Sequence, residues 1–410
     1  MTLASPTHAP PGALTTRDLP SSRAHNRFSF GLHLVILIAL LAASSAPTPL
    51  YSIYQSTMAL SSVTVTVIFA AYTVSLLVAL LIVGSLSDHL GRKPVVLAAL
   101  ALEVIAMAGF LIASDATGLI VARALQGVAT GTATAAIGAG LADALPRRAP
   151  TANSVAPIVG MAVGALGAAI VAGTAAQPTV DVFVVLLATF VVLFIVALFL
   201  QDSNGRRPGA LASLRISIGV PAAARRAFML AAPVLIAVWA IGGFVLSLGP
   251  TLARTLTGST SPMVGGWFVF ALTAAGALAV LTLSRVRAAR AFTLGAAALV
   301  LGVSVMLLGV AVGAPAALFA GAIITGIGFG AGFQGAMHTI MPLAEPHERA
   351  GLLATVYVVS YLSMSIPAIG AGVLSATVGI AFSAYAIGGL ILVLALAALL
   401  GSLAQDRRNR

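Results

Sequence analysis

Glu103 and Arg123 are the two charged residues of this 410-residue sequence that fall deep inside long apolar runs. A charge at the centre of a bilayer costs about 2.5–3.5 kcal/mol to insert, so where one is kept it generally handles ions, protons or a charged substrate. A carboxyl group can carry a proton. A guanidinium can clamp an anion or act on a nearby acid. The two residues flank a turn near Asp115, Glu103 12 residues before it and Arg123 8 after it. At about 1.5 Å per residue their depths differ by roughly 6–7 Å, which leaves a direct ion pair and two separate roles both open. His338 adds an imidazole, which ionises near neutral pH or makes one structural hydrogen bond. There is no Cys, which removes disulfides, thiolate metal sites and Cys nucleophiles. The only Lys, Lys93, lies in no G-x-x-x-x-G-K-[ST] loop, so nucleotide binding is not expected. No metal-ligand cluster or catalytic triad stands out, and neither a cofactor nor an enzymatic reaction is expected.

The elements that hold these residues are membrane helices. The chain is 60% hydrophobic and 8% charged, against roughly 25% charged in a soluble domain. A helix crosses the hydrocarbon with about 20 apolar residues. Apolar runs between polar breaks predict six spans near 30–54, 63–86, 94–113, 117–142, 153–175 and 180–201. Six more follow near 228–248, 263–284, 291–312, 315–341, 350–375 and 378–403. The domain reading is a disordered tail over 1–29, a six-helix bundle over 30–202, a polar linker over 203–227, a second bundle over 228–404 and a short tail over 405–410. The run after Arg27 ends in Ala43-Ser44-Ser45-Ala46, small residues of the kind at which a signal peptide is cut. Pro47 follows that site and the leading region is long, so a retained first helix is expected.

Basic residues sort by side. Nineteen of the 21 Lys and Arg fall on one side of this layout, Arg254 alone on the other, and Arg123 within a span. The positive-inside rule then puts both termini in the cytoplasm of a cell membrane. The net charge of +11 reads as topology rather than as affinity for nucleic acid. Two blocks of six spans joined by a basic loop suggest an internal duplication, an architecture common among transporters.

The most specific segment joins spans 2 and 3: Gly84-Ser85-Leu86-Ser87-Asp88-His89-Leu90-Gly91-Arg92-Lys93-Pro94. Gly84 permits close helix approach, Gly91 can adopt a positive φ, and Pro94 suits the first turn of the next helix. Asp88 can dock on another helix's N-terminus or pair with Arg92. The segment resembles the signature loop of the major facilitator superfamily, departing from it at His89, where the family usually has Arg. Arg123-Ala124-Leu125-Gln126-Gly127 with Gly131 looks like the family's span-4 motif. Pro47-Thr48-Pro49-Leu50-Tyr51 looks like an element of its twelve-span drug:proton antiporter branch. Gly160 to Ala165 resembles that branch's G-x-x-x-G-P motif, with Ala165 in place of Pro. As small-x-x-x-small pairs, Gly127/Gly131 and Gly160/Gly164 are also explained by helix packing alone.

The resemblance implies an all-α fold of twelve transmembrane helices in two pseudo-symmetric bundles. It implies a conformational latch in which Asp88 contacts the start of span 11 near His347 and Arg349, and Arg92 pairs with Asp143. It also implies that spans 1, 4, 7 and 10 line a central path. Tyr51, Tyr54, Gln55, Gln126, Thr130, Trp239, Gln334 and His338 are then candidate substrate or proton-coupling contacts beside Arg123 and Glu103. If Gly127 corresponds to Gly326, Arg123 corresponds to Ala322, and the ion-handling chemistry lies in the first half. The function expected is secondary transport of a small organic molecule, coupled to protons and directed outward, by a monomer in the lipid bilayer. An uptake symporter or facilitator remains open, as does a non-transporting receptor or scaffold.

Overall fold

The computed structural model describes residues 23–84, 86–201, 208, 218–345 and 347–408. Its first half comprises α1 (Arg23–Ser45), α2 (Pro47–Thr57), α3 (Ser62–Val83), the single turn α4 (Ser87–Leu90), α5 (Arg92–Ile112), α6 (Ala116–Ala144), α7 (Ala149–Thr174) and α8 (Pro178–Ala197). The second comprises α9 (Ala222–Ser247), α10 (Gly249–Thr257), α11 (Pro262–Leu283), α12 (Ala288–Ala311), α13 (Pro315–Ile340), α14 (Arg349–Thr377) and α15 (Ile380–Arg408). Helix starts follow local chemistry. The side chains of Ser61, Asp115 and Ser261 accept from the first-turn N–H groups of Thr64, Gly118 and Met263, which would otherwise be orphaned. Prolines open α2, α8, α11 and α13, where no N–H is missed.

Eleven described spans are apolar and long enough to cross a membrane, α1 and α2 counting as one. The twelfth long helix is α6, whose Arg123, Gln126, glycines and threonines dilute its apolar content. The protein is therefore an all-α membrane protein of twelve spans. Three boundaries differ from the sequence expectation. α1 starts at Arg23, inside the expected 1–29 tail; α9 starts at Ala222, inside the expected 203–227 linker; α15 runs to Arg408, into the expected 405–410 tail. A helix can continue beyond the hydrocarbon, because its backbone hydrogen bonds need no apolar side chains. Residues 1–22, Ser85, most of 202–217, Pro346 and 409–410 lie outside the described residues, with the expectations that fell on them.

The first and seventh spans are broken at matching places, at Ala46 before Pro47 and at Leu248 before Gly249-Pro250. The two halves repeat one pattern of packing. α3 and α5 both pack on α6, as α11 and α12 pack on α13, and α1 packs on α7 as α9 packs on α14. Arg123 and Ala322 are each the eighth residue of their helices, α6 and α13. Gly127 lies against the Tyr72 carbonyl of α3, and Gly326 against the Leu272 carbonyl of α11, which supports the same register. The halves meet where α3 packs on α14 and α7 on α11.

Small residues set the spacing, since apolar area supplies no drive between helices in lipid. A Cβ on Gly131 would overlap α3, and one on Gly160 or Gly164 would overlap the α1 backbone. Gly84 has no such role, because a Cβ placed on it would meet another helix only at the Ala135 Cβ, in ordinary contact at 3.8 Å. The tightest pair is α12 with α13. Gly295, Gly302 and Gly309 face backbone of α13 or the turn leading into it, while Gly321, Gly328 and Gly335 face backbone of α12. Both sets recur every seventh residue, a period the motif reading missed. Gly164→Val is expected to destabilise the fold by about 2–3 kcal/mol through overpacking. The melting midpoint in detergent reads this out, and an unchanged midpoint would mean that α1 and α7 are not so closely packed.

Candidate functional site

The site begins with a defect in the backbone. In an unbroken helix the N–H groups of residues 47 and 49 would bond the carbonyls of Ala43 and Ser45, but Pro47 and Pro49 have none. A carbonyl left bare inside a membrane costs several kcal/mol. Gln126 of α6 serves the first of these, and Arg123 serves the Ser44 carbonyl between them, whose helical donor would be the N–H of Thr48. Gln126 Nε2 donates to the Ala43 carbonyl at 3.0 Å, and Arg123 Nη1 donates to the Ser44 carbonyl at 2.9 Å. Ser45 Oγ ties the same turn to the Met161 carbonyl of α7 at 2.8 Å.

Gln126 also joins the two charges. Its Oε1 accepts from Arg123 Nη1 at 2.7 Å, and its Nε2 donates to Glu103 Oε1 at 3.2 Å. Glu103 and Arg123 are thus bridged by an amide and, among the described residues, form no direct ion pair. The separation in depth anticipated from the hairpin is what the amide spans. Both residues, and Gln126, are fully buried. Arg123 further lies over the Tyr72 ring, 4.7 Å from its centroid. Glu103 Oε2 and the hydroxyls of Thr48 and Tyr54 have no hydrogen-bond partner among the described atoms, while the Tyr51 hydroxyl lies beside the guanidinium and the Tyr72 hydroxyl beside Ser44 and Thr130. Tyr51 and Tyr72 both sit within electrostatic reach of the guanidinium. Tyr72 did not feature in the sequence reading. Its signal was weak, because nothing local marks which face of α3 meets α6.

The second half contributes aromatics and no carboxylate. Trp239 of α9 packs on Phe333 and Phe329 of α13, with ring centroids 5.7 and 6.5 Å away, and on Tyr361 of α14 at 5.1 Å. Tyr357 lies 6.2 Å from Tyr361. Gln334 is turned from this cluster, its Nε2 donating to the Val280 carbonyl of α11 at 3.4 Å. His338 is exposed toward the end of α13. The structure therefore gathers Arg123, Glu103, Gln126, Tyr51 and Tyr54 in one half and Trp239 in a separate aromatic group, and leaves Gln334 and His338 apart from both.

The turn between spans 2 and 3 is built around Arg92, which is 8% exposed. Gly91 takes φ 98° and ψ 157°, a conformation open to glycine and strained for other residues. It swings Arg92 toward Asp88, toward Ser87 Oγ at 2.8 Å and toward Asp143 Oδ2 at 3.3 Å. Asp88 meets Arg92 here rather than the start of α14, and its side chain stays 57% exposed. Lys93 Nζ donates to the Leu198 carbonyl past the end of α8 at 2.7 Å. At the far end of the molecule Gln55 of α2 accepts from Thr251 of α10 at 3.3 Å, and Ser375 of α14 donates to Ser62 of α3 at 3.3 Å. Midway, Thr73 and Ser365 hydroxyls lie 2.5 Å apart.

Comparison with known proteins agrees with this architecture. No curated protein matches the sequence. Among solved structures, a mutant of the nucleoside transporter NupG superposes with a TM-score of 0.70 at 13% identity, covering 91% of this chain and 99% of that one. A mutant of the peptide transporter POT in complex with alafosfalin superposes with a TM-score of 0.71 at 15% identity, covering 92% of this chain and 93% of that one. At such identities the likeness is one of fold. The family model of the Major Facilitator Superfamily matches residues 32–286. With well over half of its length so matched, and with two repeated six-span halves around a buried polar centre, the chain belongs to the Major Facilitator Superfamily of membrane transporters.

Proposed function

We propose that this transporter exports a small organic molecule in exchange for protons, with both termini and the Gly84–Pro94 turn on the cytoplasmic side. One observation carries the reading. The only carboxylate deep within a span, Glu103, is linked through Gln126 to Arg123 and to the carbonyls at the break in the first span. A proton gained or lost at Glu103 changes the charge of a fully buried network. That network holds α1 against α6, and α1 leads into α2, which meets α10 of the other half. Protonation then favours one arrangement of the halves over the other, which is what coupling requires.

The hydrogen bonds between the halves lie midway and at the end remote from Gly91. With the proposed orientation, the conformation is closed to the outside. Asp88 would leave Arg92's company for the start of α14 only in the opposite, outward-facing state. The 19-to-1 distribution of basic residues supports the orientation, and the Pro47-Thr48-Pro49 break supports the antiporter branch. Inside-out vesicles with an acid interior and a pH-sensitive dye test the reading. Substrate-triggered proton release is expected from the native protein. Glu103→Gln is expected to lose the release while substrate still binds. Release that persists in Glu103→Gln would remove this residue from coupling, and protons that move in the same direction as substrate would make the protein a symporter.

A further inference from the structure

A cleft of about 560 Å³ opens between the first turns of α9 and the last turns of α15, remote from the buried network. Its lining is graded. On α9, Arg225 and Arg226 come first, and Met229 and Leu230 follow one turn further in. On α15, which runs the other way, Gln405 lies nearest the end and Gly401 one turn further in. At about 1.5 Å per residue the apolar layer lies roughly 6 Å below the polar one. Gly401 keeps the cleft open, since a Cβ on it would meet only the Leu230 side chain, at 3.5 Å. Met229 is 72% exposed, so the apolar wall faces outward from the helices.

The two arginines have no acid to answer them. Arg225 Nε donates to the Val220 carbonyl at 3.4 Å, and neither Arg225 nor Arg226 forms an ion pair among the described residues. Between Asp202 and Glu345 the sequence has no Asp or Glu, and the loop leading to α9 carries Arg206, Arg207 and Arg215. Asp406 follows Gln405 but is itself followed by Arg407 and Arg408. By charge, then, these flanking segments are poor occupants of the cleft. Its depth is informative too. The apolar run of α9 begins at Ala227 and that of α15 ends at Ala404, so the cleft straddles the edge of the hydrocarbon. Guanidinium groups at that level favour phosphate, which they bond through a planar fork. A soluble anion would use the arginines and leave Met229 and Leu230 without a role. A molecule with a phosphate head and an apolar tail uses both layers.

We propose that the cleft between α9 and α15 binds an anionic phospholipid, its phosphate on Arg225 and Arg226 and an acyl chain along Met229, Leu230 and Gly401. The lipid ties the start of the seventh span to the end of the twelfth. This assignment needs neither transport nor its direction. The full chain in detergent is mixed with dioleoyl phosphatidylglycerol, dioleoyl phosphatidylcholine, glycerol phosphate or inorganic phosphate. Native mass spectrometry counts retained lipid, and the melting midpoint is followed in parallel. One phosphatidylglycerol is expected to be retained, about tenfold more tightly than phosphatidylcholine. The two soluble phosphates are expected to leave the midpoint where it is, while phosphatidylglycerol raises it. Arg225→Gln with Arg226→Gln is expected to weaken retention about thirtyfold. Gly401→Leu fills the cleft without touching its charge and is expected to weaken retention about tenfold. Arg287→Gln with Arg290→Gln removes exposed arginines of the α12 start that do not line the cleft, and retention is expected to stay unchanged. Midpoints without lipid show whether each variant folds. If the double variant melts early, Arg226→Gln and Gly401→Leu serve as the test. An equal loss in the α12 variant reduces the effect to diffuse attraction and overturns the site. Phosphatidylcholine held as firmly as phosphatidylglycerol, a soluble phosphate that raises the midpoint as much, or retention unchanged in the cleft variants overturns it as well.

Discussion

Arg123→Ala is expected to lower the transport rate of reconstituted protein at least about 100-fold, beyond any loss of folded material, because it strips a buried network of its only cation. In the native protein that guanidinium bonds the Ser44 carbonyl and Gln126, and stacks on Tyr72. Its removal leaves Gln126 Oε1 unpaired within the membrane, takes one donor from the Ser44 carbonyl, and leaves Glu103 without a compensating charge nearby. Arg123→Lys keeps the charge but not the planar fork that serves a carbonyl and an amide together, so partial recovery is expected. A double-mutant cycle isolates the backbone part of the argument. Gln126→Leu bares the Ala43 carbonyl, which has no helical donor because residue 47 is Pro. With Ala at position 47 the missing N–H returns. The stability cost of Gln126→Leu should then be smaller in a Pro47→Ala background than alone. Equal costs in both backgrounds would show that Gln126 does not serve this carbonyl.

A disulfide at the end remote from Gly91 is expected to stop transport reversibly. The sequence has no Cys, so Ser62→Cys with Ser375→Cys introduces the only two thiols. The native hydroxyls lie 3.3 Å apart, one on α3 and the other on α14, a separation that side-chain rotation can close to a disulfide. Alternating access requires these helix ends to part in each cycle. Oxidation should bring flux to background, at least about 100-fold down, since the open state would need the bond to break. Reductant should restore it, and each single variant should be indifferent to oxidant. Full transport with the cross-link complete, scored by mass spectrometry, would mean that this end need not open.

The legibility of the molecule in its sequence varied with the range of the interaction. Span number and type could be read because lipid acts on each helix separately, through length and apolarity. The helix with the weakest hydropathy, α6, is the one carrying Arg123 and Gln126, since the composition that supports function dilutes the membrane signal. The ends of α1, α9 and α15 ran past the expected limits, because an apolar run marks the hydrocarbon and not the end of the backbone hydrogen bonding. Gly91 and Arg92 could be named because a turn of fixed chemistry needs them, and Asp143 because the family resemblance implies it. Which of its two readable partners Asp88 meets, Arg92 or another helix's start, could not, since a two-state contact depends on which state is populated.

At the centre of the protein, residue order alone sets the inventory: one acid and one guanidinium deep in the membrane, a Pro-x-Pro break, and a second half without carboxylates in its spans. Each of these follows from residue type and position along the chain, where the cost of a charge or a missing N–H is local. Only the tertiary structure decided how the inventory is wired. It set Gln126 between Glu103 and Arg123, turned Gln126 onto the carbonyl that Pro47 bares in α1 and Arg123 onto the next carbonyl along, and brought Tyr72 up to the guanidinium and Trp239 to Tyr361. Those pairings depend on the rotation of helices packed at glycine distance, and in lipid that rotation is fixed by close contact between neighbours rather than by an apolar face.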